Sequence, residues 1–240
     1  MTTASGVSAA LAKCATPAKA KASAWFFKTG KGQYGEGDVF IGVTVPEQRK
    51  IAREYAHISE KEVLRLLRSK IHEERLTALL ILVRQYQRGD SDAKRRVFDF
   101  YLENRRFVNN WDLVDSSAHH IVGEQLLGEK SARVRAALRP LAKSKVLWDR
   151  RIAMISTYAF IRAGKHEVCF EIAELLLRDE HDLMHKAVGW MLREVGKRVS
   201  PELLRAFLKK HAARMPRTAL RYAIEHFEPS ERRAWLTFGS

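Results

Sequence analysis

The chain has 240 residues, of which 46% are hydrophobic and 30% are charged, the proportions of a folded protein rather than of a disordered one. No uninterrupted apolar run approaches the roughly 18 residues that a membrane-spanning helix needs. The two cysteines are too few for a disulfide framework, so we expect a reducing compartment. Lysine and arginine number 43 against 28 aspartates and glutamates, which gives a net charge of +15. A polyanion is therefore the expected partner, nucleic acid first and an anionic membrane surface second.

The first 35 residues contain no acidic side chain and are rich in alanine, lysine and serine. Transit peptides share this bias, but the segment contains no arginine and lacks the apolar core of a signal peptide. Val7, Leu11 and Cys14 recur at helical spacing, and Pro17 is placed to open a second helix. We therefore predict two short helices within residues 1–30.

A glycine-rich stretch follows at residues 28–38, which read KTGKGQYGEGD and predict a loop. The stretch lacks the spacing of a phosphate-binding Walker motif, and no strand leads into it. Residues 39–45 are the one strand-like run in the sequence. Because this run has no partner strand, we expect a loop and an extended linker packed on helices over residues 31–45.

From residue 46 onward the sequence predicts one helix after another. Thr44 to Glu47 and Ser59 to Glu62 have the spacing of capping boxes, and Ser200 precedes a proline suited to a first helical turn. A similar five-residue segment, called a phrase below, starts at residues 75, 112, 151, 186 and 217, at intervals of about 31 to 39 residues. This period favours an all-α fold, an α-solenoid of HEAT-like repeats with a basic concave face suited to a duplex. We treat residues 1–240 as a single HEAT-like repeat domain, with stacked helix pairs over residues 46–240.

The second phrase departs from the other four. Its first position is Asp112, where the others have lysine or arginine, and its fourth position is Asp115, where the others have a small or apolar residue. A carboxylate at such a position is costly to bury unless it is paired or used in chemistry. Asp115 is therefore a candidate functional residue.

Two tryptophans accompany the phrases. Trp111 precedes Asp115 by four residues and so shares its helix face, and Trp190 ends the fourth phrase with Arg193 one turn later. Together with Arg151, which starts the third phrase, these residues are candidates for one cleft.

The chain resembles the AlkD-like DNA alkylation repair glycosylases, which are built from HEAT-like repeats. The resemblance extends from about Pro17 to Phe227, and W-D-x-V-D together with K-A-x-G-W-x-L-R is its most specific element. The matching stretches are residues 28–38, 40–43, 46–49, 111–115, 148–153 and 186–193.

The resemblance implies excision of N3- and N7-alkylated purines from duplex DNA. It assigns the catalytic carboxylate to Asp115, and it makes Trp111 and Trp190 the aromatic walls against the sugar and backbone of the damaged nucleotide. It also implies a monomer in the cytoplasm near the nucleoid, with no cofactor, no metal and no membrane partner. The DNA-binding residues that it implies are Tyr34, Arg151, Lys186 and Arg193.

Excision of a cationic purine requires only one catalytic carboxylate, in agreement with the single candidate Asp115. Alkylation at N7 or N3 places a positive charge on the base, which makes the base a good leaving group without a general acid. The sugar then gains oxocarbenium character, which a fixed carboxylate stabilises and which indole faces attract by cation–π interaction. A paired acid and base, as in most glycosidases, is unnecessary for such a substrate.

Other interpretations remain open at this point. A non-catalytic HEAT-like protein that binds branched or distorted DNA would also carry a positive charge, whereas a protein–protein scaffold would not need it. His181 to His185 is similar to the H-E-x-x-H zinc motif but has aspartate for glutamate and no third ligand, which favours two ordinary helix histidines. His119, one turn beyond Asp115, is expected to be a packing or surface residue rather than part of a site.

Overall fold

A computed structural model describes residues 3–238 of the chain. Helices dominate these residues, and the only β-type pairing within them is an isolated parallel bridge between Val39 and Ile71. The all-α class predicted from the repeat is therefore confirmed. Among the described helices, none is both long and apolar enough to cross a membrane.

The chain divides after Ser117 into two compact units. The helices of the first unit are α1 (Ala4–Lys13), α2 (Pro17–Phe26), α3 (Val45–Glu54), α4 (Glu60–Leu67), α5 (His72–Arg88), α6 (Ser91–Glu103) and α7 (Trp111–Asp115), with a 3-10 turn at Arg105–Phe107. The second unit opens with a π-helical turn at His119–Gly123. Its further helices are α8 (Glu124–Leu127), α9 (Ser131–Ala142), α10 (Leu147–Arg162), α11 (Glu167–Leu176), α12 (Asp182–Arg198), α13 (Pro201–His211), α14 (Arg217–Ala223) and α15 (Pro229–Thr237), with a 3-10 turn at Ala212–Arg214.

The two helices predicted near the start of the chain are α1 and α2. Val7 and Leu11 of α1 are fully buried, as their spacing predicts, and the amide of Ala4 donates to the carboxylate of Glu62 in α4 over 2.8 Å. Helix α2 buries none of its residues, and the side chain of Trp25 near its end is 83% exposed. The first helix thus belongs to the core of its unit, while the second covers the surface.

The described backbone of residues 31–44, where the sequence predicts a loop and linker, contains no helix, and α3 begins at Val45 directly after the predicted cap Thr44. The backbone amides of the strand-like run are hydrogen-bonded to a side chain and not to a neighbouring strand. The buried carboxylate of Glu73 in α5 accepts from the amides of Ile41, Gly42 and Val43 at 2.7–3.3 Å. Gly42 has φ +83°, and a Cβ there would lie 2.2 Å from the carbonyl oxygen of Thr16. Only glycine fits this position.

Two of the three predicted helix caps form as expected. Glu47 accepts from both the amide and the hydroxyl of Thr44, and Ser200 accepts from the second and third amides of α13. The capping box at Ser59 is only half formed: its hydroxyl accepts from the amide of Glu62, while the Glu62 carboxylate bonds to α1 and Arg65. The full box was therefore a wrong prediction, because a distant donor competes for the same carboxylate.

All five phrases lie in helices, namely α5, α7, α10, α12 and α14. In the second unit α10 packs against α9, α11 and α12, and α12 packs closely against α14. A Cβ at Gly189 of α12 would lie 2.4 Å from the carbonyl oxygen of Ala219 in α14, so the glycine permits the close helix contact. Within the second unit, the helices of the predicted repeat are thus stacked on one another, as in an α-solenoid.

Candidate functional site

Helix α7 carries two of the predicted site residues on one face. Leu113 and Val114 are fully buried and fasten the helix to the core of the first unit. Trp111 and Asp115, one turn apart, lie on the other side and are both half-buried. The predicted pair of indole and carboxylate therefore occurs on a single helical turn.

Trp111 forms part of an aromatic cluster. Its ring stacks on Phe27, with centroids 5.1 Å apart and planes inclined by 11°, and meets the edge of Phe26 at 5.9 Å. Phe27 also stacks on Phe40 of the linker at 4.9 Å. The end of α2 and the linker after the glycine-rich loop thus support the indole from one side.

Asp115 ends α7 close to a buried phenol. The hydroxyl of Tyr101 in α6 forms a hydrogen bond with that of Ser117 at 3.0 Å. Burial raises the pKa of Tyr101, and the negative charge of Asp115 raises it further. A neutral phenol thus lies near the carboxylate of Asp115.

A buried polar network lies directly behind α7. The imidazole of His72 at the start of α5 contacts the Asp38 carboxylate through Nδ1 at 2.9 Å and the Asp112 carboxylate through Nε2 at 2.7 Å. Arg75 donates to the other oxygen of Asp38 at 2.6 Å, and Asn110 donates to Asp38 at 3.1 Å. The network joins the glycine-rich loop, α5 and α7.

The pKa values of this network favour charged groups. Burial alone would lower the pKa of His72, but the charge and hydrogen bond of Asp112 and the hydrogen bond with Asp38 raise it. Burial likewise opposes the ionisation of Asp38, yet its bonds with His72, Arg75 and Asn110 hold the pKa of that carboxyl below its ordinary value. Sequence reasoning missed this network, although the departure of Asp112 from its repeat was a signal of it.

In the second unit Trp190 of α12 belongs to a separate aromatic row. Its ring lies 6.3 Å from that of Tyr158 in α10, and Tyr158 meets the ring of His119 edge-on at 5.3 Å. The guanidinium of Arg198 lies over Tyr158 at 5.4 Å. Burial lowers the pKa of His119 to about 3, helped by the charges of His120 and Arg162, so this imidazole is neutral.

The predicted DNA-binding cations of α12 are in ion pairs. Arg193 binds the carboxylates of Glu194 and Glu225, and Lys186 pairs with Asp182 one turn earlier at 2.7 Å. The Lys186 side chain remains 40% exposed, against 20% for that of Arg193. Of the two, Lys186 is the more accessible to a phosphate.

Arg151 and Tyr34, also predicted to bind DNA, have structural contacts. Arg151 is 5% exposed, and its guanidinium donates to the carbonyl of Leu183 at 2.6 Å, which links α10 to the first turn of α12. The hydroxyl of Tyr34 donates to the carbonyl of Phe26 at 3.4 Å. A phosphate contact by either residue stays a prediction.

The two histidines that are similar to a zinc motif act at the start of α12. His181 Nδ1 accepts from the amide of Leu183 at 3.1 Å as the helix cap, and His185 Nε2 is hydrogen-bonded to the carbonyl of Asp179. Within residues 3–238 no three histidine, cysteine or acidic side chains are grouped as metal ligands would be.

The fold and these residues define an all-α repeat protein with half-buried indoles on two of its helices. The family model for DNA alkylation repair enzymes matches residues 7–227, and the chain belongs to this family. It is also similar in fold to a predicted DNA alkylation repair enzyme from Enterococcus faecalis, with a TM-score of 0.68 and 15% identity. That likeness covers 90% of this chain and 97% of the other. No curated protein matches the chain in sequence.

Proposed function

We propose that this member of the DNA alkylation repair family is a DNA glycosylase that removes cationic N3- or N7-alkylated purines from duplex DNA. The observation that carries the proposal is the pairing of Trp111 and Asp115 on the half-buried side of α7, a helix whose other side is fully buried. A rigidly held carboxylate beside an indole suits a substrate that develops positive charge during the reaction.

In the proposed reaction the glycosidic bond breaks heterolytically, and its electron pair leaves with the purine. That electron pair neutralises the positive charge of the alkylated purine ring, so the base departs as a neutral molecule without prior protonation. Asp115 stabilises the positive charge that develops at C1′ of the sugar and orients the attacking water. The water oxygen bonds to C1′, its proton passes to Asp115 or to solvent, and an abasic site remains. The chemistry requires no redox step and no cofactor.

The charge of the chain supports a DNA partner. The net charge of +15 favours association with a polyanion, and Lys186 carries an exposed cation on the same helix as Trp190. Trp190 is proposed to act as a second aromatic surface for the damaged nucleotide, with Arg193, Arg151 and Tyr34 as further DNA contacts. The protein is proposed to act as a monomer on chromosomal DNA in the cytoplasm.

The proposal is tested with a duplex oligonucleotide that carries a single N7-methylguanine. The wild-type protein in excess should release free 7-methylguanine and leave a site that is cleaved by alkali. Asp115→Asn keeps the shape of the side chain and removes its charge, so single-turnover excision should fall by roughly a hundredfold or more, while binding to the duplex persists. Asp99→Asn, an exposed carboxylate on α6 of the same unit, is the matched control and should excise at the wild-type rate.

Two results would contradict the proposal. Near-wild-type excision by Asp115→Asn would remove that residue from the mechanism. Tight binding by the wild-type protein without release of any base would favour the non-catalytic DNA-binding alternative. A neutral lesion such as 1,N6-ethenoadenine should be excised far more slowly, because its base is a poorer leaving group.

A further inference from the structure

Three side chains form a continuous buried bridge in the first unit. The ring of His72 lies between the carboxylates of Asp38 and Asp112, and the exposed fractions of these three side chains are 2%, 6% and 13%. Phe40 stacks on one face of the imidazole at 4.5 Å, and Phe27 lies 5.0 Å away. The bridge is therefore shielded from water by the cluster that supports Trp111.

The contacts of the ring define its protonation state. An ionised carboxylate offers only acceptors, so each ring nitrogen must carry a proton to bond with its neighbour. A neutral imidazole has one N–H and would leave an unprotonated nitrogen facing a carboxylate oxygen at less than 3 Å. Only the imidazolium satisfies Asp38 and Asp112 together.

The surrounding charges also balance around an imidazolium. The groups that face His72 are Asp38 from the loop, Asp112 from α7 and Arg75 from its own helix, with the neutral amide of Asn110 beside them. Two carboxylates, one guanidinium and one imidazolium sum to zero charge. Loss of the imidazole proton would leave a net negative charge in a buried place.

The bridge holds the residues on both sides of Trp111. Asn110 donates to Asp38, and its side-chain oxygen accepts from the amide of Trp111 at 2.8 Å. Asp112, on the other side, is held by His72. Because α7 has only five residues, its own hydrogen bonds cannot define its orientation. The direction of the Trp111 ring and of Asp115 thus depends on contacts outside α7, and the bridge supplies those on both sides of Trp111.

We propose that His72, as a buried imidazolium clamped between Asp38 and Asp112, is a positioning residue that aligns Trp111 and Asp115 for the reaction. The effect of His72 on catalysis rests on the proposed glycosylase function. The buried bridge of Asp38, His72 and Asp112, called the clamp below, does not depend on that function. In this proposal His72 does not contact the substrate and acts only by holding α7, which carries Trp111 and Asp115.

The clamp is tested first by a measurement that needs no activity. Protein labelled with 15N-histidine should show a histidine whose two ring nitrogens are both protonated at neutral pH, and this signal should be absent from His72→Gln. In protein labelled with 5-fluorotryptophan, the Trp111 resonance, assigned by Trp111→Phe, should shift in His72→Gln. His57→Gln, which changes an exposed histidine of the same unit, is the control and should leave that resonance in place. A neutral His72 at neutral pH would overturn the proposal.

The positioning role is tested by single-turnover excision of N7-methylguanine. His72→Gln should slow excision by roughly ten- to a hundredfold, the scale expected when a catalytic group is misplaced, with little change in DNA affinity. Asp112→Asn should slow it similarly, and the double variant should be no slower than either single one, because all three disrupt one clamp. Additive losses would overturn the proposal.

The NMR measurement and the excision assay together distinguish a failure of the clamp proposal from a failure of the proposed glycosylase function. If the wild type has no glycosylase activity but His72 is doubly protonated and its loss shifts Trp111, the clamp stands and the proposed function fails. If His72→Gln does not fold, Asp112→Asn keeps both measurements available. Wild-type excision by a folded Asp112→Asn protein would refute the positioning role.

Discussion

The carboxylate of Glu73 replaces a partner strand for the linker, and its removal gives a stability prediction. Three consecutive amides, those of Ile41, Gly42 and Val43, donate to this one side chain, with Gly42 at 2.7 Å and Val43 at 3.3 Å. Glu73→Ala leaves these buried or half-buried donors without their acceptor. A hydrogen bond to a charged group contributes about 1.5–3 kcal/mol, so the loss of the two shorter bonds, those of Gly42 and Ile41, should lower the free energy of unfolding by about 3–6 kcal/mol.

Urea unfolding followed by circular dichroism measures this loss. The midpoint should fall with little change in the denaturant dependence, because the surface exposed on unfolding stays nearly the same. Glu73→Gln keeps one acceptor oxygen and should lose less than Glu73→Ala. The matched control is Glu54→Gln, an exposed carboxyl at the end of α3, which should unfold like the wild type. A loss below about 1 kcal/mol for Glu73→Ala would refute the role assigned to Glu73.

Two further predictions concern pH and salt. Because the folded-state pKa of His72 is raised, the stability that the clamp contributes is complete below the unfolded-state value near 6.5 and is lost as the pH rises through the folded-state value. The difference in unfolding free energy between wild type and His72→Gln, measured by urea titration over a pH series, should therefore shrink towards alkaline pH, and a growing difference would contradict the argument. DNA affinity should fall with salt at a log–log slope of about −0.9 per phosphate contacted, and Lys186→Ala should make the slope shallower by about one. An unchanged slope, alongside an unchanged Arg95→Ala control, would remove Lys186 from the DNA contacts.

Much of the fold could be predicted from local sequence patterns. The caps at Thr44 and Ser200 and the apolar spacing of α1 depend on residues a few positions apart, and the structure confirms them. The Ser59 box failed because the carboxylate of Glu62 has a partner 58 residues away in the sequence. Local patterns cannot reveal such competition between near and distant donors.

The candidate site was only partly predictable for the same reason. The place of Trp111 and Asp115 on one helical turn could be predicted from their spacing, but the partners of His72 lie 34 and 40 residues away in the chain. The surroundings of the basic residues at the first position of a repeat phrase could not be predicted either. Arg75 and Arg151 are both buried and donate to backbone carbonyls, so a positive charge in this position serves packing.

The brevity of α7 has a consequence for the order in which the protein folds. A five-residue helix does not persist by itself in water, and its clamp needs residues 38, 72 and 112 to be assembled first. Long helices such as α5 can form early from local contacts. During refolding, far-UV ellipticity should accordingly recover before the environment of Trp111 becomes native, and the proposed glycosylase activity should be recovered last.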